Sequence, residues 1–348
     1  MKNDILRTLS RPLGIYVLIA VTVLVPLVQR ARASECKPLR QVASVDLVPM
    51  PNGIRMVPVT INGSQEKLVL ATAAGLSALS ERAISAFGLH PQSSEHVKLL
   101  DRTGYASNDY VVVHSFDLGG LVGKDVYFMV SPNARLGANP NSPIVGVLAN
   151  DLMGAYDTEM DFASNKLNYF SPDHCDGKVI YWPADVVAVV PYRTSRPGSA
   201  RRDSHLRLPV TLEGKELSAI IDTGSPRSTI SAEIARDLFH VTAETAGTTP
   251  LGTIENNPDH KVFSYGFGHL SFEGVTVNRP QIVVLPDLVG SKDPANRFRT
   301  GGRIKRVDDD FGPEITLGMD ILRNLHLYVA SQERKLYITS TATPAASP

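Results

Sequence analysis

The chain has little of three things that would narrow its function at once: cysteine, excess charge and long apolar runs. Its 348 residues include two cysteines, and 35 basic and 35 acidic side chains leave a formal net charge of zero. A balanced charge gives no electrostatic reason to expect nucleic acid as a partner. No H-E-x-x-H or C-x-x-C motif is present, so the sequence predicts neither a metal site nor a cofactor. A G-x-S-x-G elbow and a phosphate-binding loop are also missing, which removes two rival chemistries.

Glycine and proline, by contrast, are plentiful, with 26 and 24 residues, and most apolar runs are short. This composition is typical of β-rich structure with many turns. The pattern of apolar and polar residues predicts strands at 55–61, 67–70, 109–118, 122–130, 166–170, 207–212 and 217–221, and short helices at 81–87 and 232–239. The residues alone therefore predict an all-β chain with short helices.

One stretch of the sequence occurs twice. Residues 57–80 match residues 208–231 without a gap, and each matched pair lies 151 positions apart, as Thr72 and Thr223 do. A further matched stretch near the end of each copy contains Asp151 and Asp320, at an offset of 169. The repeat predicts two lobes.

The repeat also sets the domain boundaries. We predict an N-terminal lobe at residues 34–175 and a C-terminal lobe at 207–340. Residues 176–206 are predicted to hold an inter-lobe strand and an exposed linker. Within them, residues 186–190 have the pattern of a buried strand that could join a sheet beneath both lobes. Residues 341–348 are predicted to be a disordered tail.

The longest apolar run lies near the N-terminus. Three basic residues within the first eleven positions precede an apolar run at residues 14–28, and Ala-Arg-Ala follows at 31–33. This pattern predicts a signal peptide over residues 1–33 and export to the periplasm or the exterior. The alternative is an uncleaved N-terminal membrane anchor, because Arg30 and Arg32 are unusual so close to a cleavage site.

The two cysteines, Cys36 and Cys175, both follow the predicted signal peptide. They lie at the two ends of the N-terminal lobe, in a chain expected to reach an oxidising compartment. We therefore predict a disulfide that joins the ends of this lobe.

The two copies of the repeat differ where chemistry is expected. In the second copy Asp222, Thr223 and Gly224 follow an apolar strand, whereas Ala71 and Ala73 stand at the positions of Asp222 and Gly224 in the first. An isolated Asp-Thr-Gly is a weak signal, and an ordinary turn is the alternative. A duplicated domain that presents one carboxylate per copy, however, suggests chemistry done by a carboxylate pair. One member of that pair is missing here.

A wider order of segments surrounds this motif. An apolar strand, the Asp-Thr-Gly loop, a Ser/Thr-rich strand and a Thr-Leu-Gly segment follow one another in both copies, with changes in the first. The order resembles that of the aspartic peptidases, specifically the bacterial retropepsin-like and two-lobed pepsin-like group, over residues 55–339. The resemblance implies a two-lobed, all-β acid-protease fold of β-barrels with short helices. It also implies that one Asp-Thr/Ser-Gly loop from each lobe meets the other at the lobe interface.

The resemblance makes Asp222 the remaining catalytic aspartate. It implies that Thr223 braces the paired loops through its hydroxyl and that Gly224 allows their close approach. Further residues implied to support this loop are Ser225, Ser228 and Gly318. In such enzymes two aspartates share one proton, because neighbouring like charges do not both ionise. The ionised member takes a proton from water and the other protonates the scissile carbonyl.

The first lobe departs from this pattern at three positions. Ala71 replaces the aspartate, and Ala73 and Ala149 replace the two glycines of the second lobe, while Thr72 is retained. These changes predict that the first lobe no longer takes part in catalysis. The resemblance also implies a hairpin over the cleft, with Tyr105 as a candidate peptide contact; an ordinary surface tyrosine is the alternative.

Two functions remain open on this evidence. The first is an exported aspartic-type endopeptidase-like protein that binds extended peptide in an inter-lobe cleft, with Asp222 as its catalytic residue. The second is an inactive pseudo-peptidase that binds peptide as a module. A homodimer could pair two Asp222 residues, although the first lobe already occupies that face. The expected partner is a peptide or protein, and a membrane only if the N-terminal segment is uncleaved.

Overall fold

The computed structural model describes residues 36–95, 99–100, 106–132, 143–193, 205–254, 257–286, 299–300, 303–304 and 315–340. The predicted signal peptide, residues 194–204 of the predicted inter-lobe segment, Tyr105 and the predicted tail lie outside these residues. The part of the chain from Cys36 onward forms one compact unit. Within the described residues the fold is all-β, with short helices.

The strands are numbered in chain order. Those up to residue 170 are β1 (Gln41–Asp46), β2 (Val48–Pro49), β3 (Arg55–Ile61), β4 (Ser64–Leu70), β5 (Ala78–Ser80), β6 (Gln92–Ser93), β7 (Leu99–Leu100), β8 (Ala106–Ser107), β9 (Asp109–Leu118), β10 (Leu121–Ser131), β11 (Gly146–Leu148), β12 (Asp157–Asp161) and β13 (Lys166–Phe170). Those that follow are β14 (Ala188–Pro191), β15 (Arg207–Leu212), β16 (Lys215–Ile221), β17 (Thr229–Ser231), β18 (Thr249–Thr253), β19 (Lys261–Gly266), β20 (His269–Phe272), β21 (Val275–Asn278), β22 (Gln281–Leu285), β23 (Arg299–Thr300), β24 (Arg303–Ile304), β25 (Ile315–Leu317), β26 (Leu325–Ala330) and β27 (Lys335–Ser340). The helices are α1 (Glu81–Ala86), α2 (Asn150–Met153), α3 (Ala232–Phe239) and α4 (Met319–Leu322).

Each lobe is built on one large sheet. Lobe one has the strand order β2-β3-β4-β11-β5-β10-β9-β6, and a further pairing of β3 with β9 curls this sheet toward closure. Lobe two has the order β18-β19-β22-β17-β25-β16-β15-β20-β21. Two short hairpins, β7–β8 and β23–β24, form separate two-stranded sheets.

The sequence repeat is a structural repeat. In lobe one, β11 lies between β4 and β5, parallel to β4 and antiparallel to β5. In lobe two, β25 lies between β16 and β17 in the same two orientations. The loop that joins β4 to β5, and its counterpart from β16 to β17, therefore passes the end of an inserted strand. This arrangement places the loop residues at one end of each lobe.

The helices that follow these loops begin at matched caps. The hydroxyl of Ser80 accepts the N–H of Ala83 at the start of α1, and the hydroxyl of Ser231 accepts the N–H of Ile234 at the start of α3. Such serine caps satisfy one of the backbone donors that the first turn of a helix leaves without a partner. The two caps fix how each helix leaves its strand, β5 or β17.

A six-stranded sheet combines strands from both halves of the chain, in the order β1-β13-β12-β26-β27-β14. Strands β12 and β26 pair antiparallel across it, with Thr158 opposite Val329. Strand β14 forms one edge. The predicted buried pattern at residues 186–190 is wrong in part, because Val186 and Val189 are 69% and 40% exposed. An edge strand leaves one face of its side chains uncovered, and an apolar run by itself does not reveal this.

Two buried histidine–carboxylate pairs lie on one face of the six-stranded sheet. Nε2 of His174 is 2.5 Å from Oδ2 of Asp157, and Nε2 of His326 is 2.6 Å from Oε1 of Glu159. The four side chains are at most 10% exposed. Asp157 and Glu159 are two residues apart on β12, so their side chains leave the same face. Trp182 stacks on the ring of His326 and covers that pair.

The pKa of His174 is raised above its ordinary value. Burial disfavours the charged imidazole, but hydrogen bonds to Asp157 and to the carbonyl of Cys175, with the negative charges of Asp157 and Glu333, outweigh that burial. The ring of Tyr328 also packs edge-on against this imidazole.

The predicted disulfide is present. Cys36 and Cys175 are joined with their Cα atoms 4.6 Å apart, across 139 residues of sequence. The bond attaches the start of the described chain beside His174. Among the described helices, none has the length and apolar character needed to cross a membrane.

Candidate active site

The loops that follow β4 and β16 meet between the two lobes and are held together by Thr72 and Thr223. Each threonine donates its backbone N–H to the hydroxyl oxygen of the other, at 3.1 Å in both directions. The Thr72 hydroxyl donates to the carbonyl of Ile221 at 2.7 Å, and the Thr223 hydroxyl donates to the carbonyl of Leu70 at 2.8 Å. Both threonines are at most 1% exposed. Four hydrogen bonds thus join the lobes in a buried setting, where unmade bonds are costly.

Ala71 and Asp222 hold equivalent backbone positions on either side of this contact. The N–H of Ala71 donates to the carbonyl of Leu148, and the N–H of Asp222 donates to the carbonyl of Leu317, both at 2.9 Å. Each residue then accepts a backbone bond from three positions onward within its own loop. The two loops therefore present their side chains in matching places, one an acid and the other a methyl group.

Asp222 is partly exposed, and its side chain is oriented by its own loop. Its Oδ1 accepts the backbone N–H of Gly224 at 2.9 Å. Gly224 lies against the opposite loop, because a Cβ at this glycine would lie 3.1 Å from Cβ of Ala71 and 3.2 Å from Oδ1 of Asp222. The absence of a side chain at this position is what lets the loops approach so closely.

Ala71 packs into an apolar cluster. It is 7% exposed and contacts Ile54 and Val69, both buried. A methyl group in this setting neither donates nor accepts a proton. The lobe-one half of the site therefore offers a small apolar surface beside Asp222.

Two further serine–aspartate pairs lock the loops to the inserted strands. Ser77 donates its hydroxyl to Asp151 at 2.6 Å and accepts the N–H of Ala149 at 2.9 Å. Ser228 donates its hydroxyl to Asp320 at 2.7 Å and accepts the N–H of Gly318 at 3.0 Å. The backbone N–H of each serine also donates to its aspartate. The repeat matches Ser77 with Ser228 and Asp151 with Asp320. Of these four residues only Ser228 was expected to support the loop, and the match was the signal for the other contacts.

Ala149 and Gly318 hold matched positions with different surroundings. A Cβ at Gly318 would lie 2.4 Å from the backbone carbon of Arg227, which is too close for any side chain. Ala149 carries that methyl group and is completely buried. The lobe-one loop therefore lies farther from residue 149 than the lobe-two loop does from residue 318.

Ser225 donates its hydroxyl to the carbonyl of Arg227 and so stabilises the turn after Asp222. The carbonyl of Ala73 lies 2.6 Å from Nε2 of His205, a residue that the sequence did not single out. Tyr105, the candidate flap residue, lies outside the described residues. No group of three or more histidine, cysteine or acidic side chains suited to a metal occurs in the described parts of the chain.

A family model described as aspartyl protease matches residues 57–152 and 208–321, which include both loops and both inserted strands. No curated protein matches the sequence. Among solved structures, the aspartic proteinase from Irpex lacteus is similar at 11% sequence identity and a TM-score of 0.48, over 87% of this chain and 98% of that one.

Proposed function

Because this chain belongs to the aspartyl protease family, we propose that its paired loops form the floor of a peptide-binding cleft between the two lobes. The family model matches both lobes. In the proposed site an extended peptide lies over the loops, and Asp222 is the carboxylate that its backbone meets. Asp222 is partly exposed, as a ligand-binding acid must be.

The residue at position 71 bears on whether this site can hydrolyse a bound peptide. The reciprocal Thr72–Thr223 bonds set residues 71 and 222 in matching places, and residue 71 is alanine. Peptide hydrolysis by a carboxylate pair needs a base for water and an acid for the scissile carbonyl in the same step. A single carboxylate cannot be ionised and protonated at once. We therefore propose that the monomer binds peptide without cleaving it.

Pairing of two Asp222 residues in a homodimer is the rival arrangement. It would require lobe one to leave lobe two at the Thr72–Thr223 contact, where both side chains are buried. Each hydrogen bond broken in this way contributes about 0.5–1.5 kcal/mol net. Four hydrogen bonds cross this contact, so separation of the loops is strongly opposed.

We further propose that the protein is exported. The proposal rests on the N-terminal pattern of basic residues, apolar run and Ala-Arg-Ala. The Cys36–Cys175 disulfide supports it, because such bonds persist mainly in oxidising compartments. Whether residues 1–33 are removed is decided by the N-terminal sequence of protein purified from its native cells.

The binding proposal is tested with two probes: fluorescein-labelled tryptic peptides of casein, and a labelled hexapeptide that carries a hydroxyethylene group in place of its central amide. We expect saturable binding of both by fluorescence anisotropy. The Asp222→Asn variant should bind the hydroxyethylene peptide about tenfold more weakly, because hydrogen bonds to a charged group contribute about 1.5–3 kcal/mol.

The matched control is Asp185→Asn, which makes the same chemical change at an exposed aspartate away from the loops. It should bind as the wild type does. Equal affinity of the Asp222→Asn variant and the wild type would refute the assignment of Asp222 to the peptide site. Absence of binding by the wild type would refute the peptide-binding function itself.

A further inference from the structure

Two side chains hold the lobe-one loop by consecutive backbone carbonyls. Nδ2 of Asn150 donates to the carbonyl of Thr72 at 2.6 Å. Nε2 of His205 lies 2.6 Å from the carbonyl of Ala73. A carbonyl oxygen can only accept, so this ring nitrogen carries the hydrogen. His205 lies two residues before β15, the first strand of lobe two, and the carbonyl of the intervening Leu206 accepts the N–H of Ile221 in that lobe, so the His205 bond crosses between the lobes.

The counterparts of these two residues in the repeat cannot make such bonds. Asn150 matches Met319 at the offset of 169, and His205 matches Ile54 at the offset of 151. Met319 and Ile54 are buried in apolar surroundings, and neither side chain has an N–H or O–H donor. The two holding bonds are therefore particular to the loop that has lost its carboxylate.

We propose that Asn150 and His205 are positioning residues, which fix the Ala71–Ala73 loop as one rigid wall of the peptide site. This inference rests on the proposed peptide-binding function. The loop has a methyl group at residue 73 where its partner has a glycine, and Ala149 holds it farther from the inserted strand. The bonds from Asn150 and His205 to two successive carbonyls restrict the motion of this loop. Asn150 belongs to the same lobe as the loop, and His205 contacts it from the opposite lobe. A site that is ordered before binding loses less conformational freedom when the peptide arrives.

The first test measures loop order without any peptide. The reporter is hydrogen exchange of the Ala74 amide, which donates to the carbonyl of Ala71 at 3.0 Å. The internal reference is the Ser225 amide, which donates to the carbonyl of Asp222 in the other loop at 3.3 Å. Each variant introduces the residue found at the matched position of the repeat: Asn150→Met and His205→Ile. We expect exchange at Ala74 to become at least tenfold faster in both, with exchange at Ser225 unchanged.

The conservative variant His205→Gln separates positioning from bulk packing. Glutamine keeps an N–H donor at a similar reach, so exchange at Ala74 should stay at the wild-type rate. Calorimetric unfolding of all three variants checks that each is folded at the temperature used. Wild-type exchange at Ala74 in both Asn150→Met and His205→Ile would overturn the inference. An equal acceleration in His205→Gln and His205→Ile would overturn it as well.

The second test uses the casein-peptide probe. We expect His205→Ile to bind it about tenfold more weakly and His205→Gln to bind it as the wild type does. If the wild type binds no peptide, the proposed function fails, while the exchange rates still decide whether the two residues hold the loop. If the exchange rates respond and the affinity of His205→Ile equals that of the wild type, the claim that loop order serves peptide binding is refuted.

Discussion

Thr72 and Thr223 each donate a backbone N–H to the hydroxyl oxygen of the other at 3.1 Å and form a matched, buried pair between the lobes. The contact is symmetric although its surroundings are not, since alanine and aspartate precede the two threonines. Both copies of the repeat therefore supply the threonine hydrogen bonds that join the lobes. Only the second copy supplies a carboxylate beside them.

Replacement of either threonine should destabilise the whole protein. Thr72→Val or Thr223→Val removes a hydroxyl that both donates and accepts, and leaves a buried N–H and a buried carbonyl without partners. At about 1–3 kcal/mol for each group, we expect a loss of about 2–6 kcal/mol in the free energy of unfolding. Urea denaturation provides the measurement, with Thr211→Val, a half-exposed strand residue, as the control. Losses no larger than that of the control would contradict the role given to the pair.

Replacement of Ala71 with aspartate should give only weak activity unless the methyl groups of Ala73 and Ala149 are also removed. Ala71→Asp would place a second carboxylate beside Gly224, close to Asp222. Ala73 and Ala149 carry methyl groups where the second lobe has glycine, and a methyl group that overpacks a loop typically costs about 1–3 kcal/mol. A displacement of about 1 Å at a catalytic group can lower the rate on the order of a hundredfold.

The variant with Ala71→Asp, Ala73→Gly and Ala149→Gly should therefore cleave casein peptides faster than Ala71→Asp alone. Cleavage rates at acidic and neutral pH provide the comparison. Equal rates would mean that the two alanines are tolerated and that only the carboxylate was lost.

Much of the local structure could be predicted from the sequence, because its signals are local. The strands Arg55–Ile61 and Asp109–Leu118 have the predicted bounds. The alternation of apolar and polar residues indicates each strand, and turn residues mark its ends. The six-stranded sheet could not be predicted in this way. Its pairing of β12 with β26 joins residues more than 160 positions apart, as Thr158 and Val329 show. Periodicity identifies the buried face of a strand and not its partner.

The residues of the candidate site could also be predicted from the sequence only in part. The correspondence of Ala71 with Asp222 could be predicted from the repeat, because both lie in one ungapped match, and the two residues make equivalent backbone hydrogen bonds. His205 could not, since it lies near the end of the predicted inter-lobe segment at 176–206 and has an isoleucine as its counterpart. Its contact with Ala73 depends on how the lobes pack, and that information is not local.

The disulfide should contribute measurably to stability. Cys36 and Cys175 close a long loop, and in the chain-entropy model such a crosslink contributes about 2–5 kcal/mol. We expect the melting temperature to fall on addition of dithiothreitol. The double variant Cys36→Ser, Cys175→Ser should melt at the lower temperature with or without reductant. A melting temperature unaffected by reductant, with the thiols shown by alkylation to be reduced, would contradict this expectation.

The buried His174–Asp157 pair should make stability depend on pH. The pKa of His174 is raised above its ordinary value of 6.5. The stabilisation from its protonation is therefore complete below that value and is lost as the pH rises through the folded-state pKa. Wild type should thus lose stability relative to His174→Gln as the pH is raised from 6 to 9. Asp157, Tyr328 and Glu333 are the titratable groups that face this imidazole.

Urea midpoints at half-unit pH steps provide the measurement for this pair. The matched control is His114→Gln, which alters an exposed histidine beside Asp125. A constant difference between wild type and His174→Gln over this pH range would show that the pair does not couple protonation to folding.

The most direct test of the account is a search for Asp222-dependent cleavage by the monomer. Wild type and Asp222→Asn, each shown to be monomeric by light scattering, are incubated with casein at pH 4 and pH 7. New peptide termini are then counted by mass spectrometry. With alanine at residue 71, we expect the same background of termini for both proteins, together with saturable binding of casein peptides by the wild type. Abundant cleavage by the wild-type monomer that disappears in Asp222→Asn would contradict it.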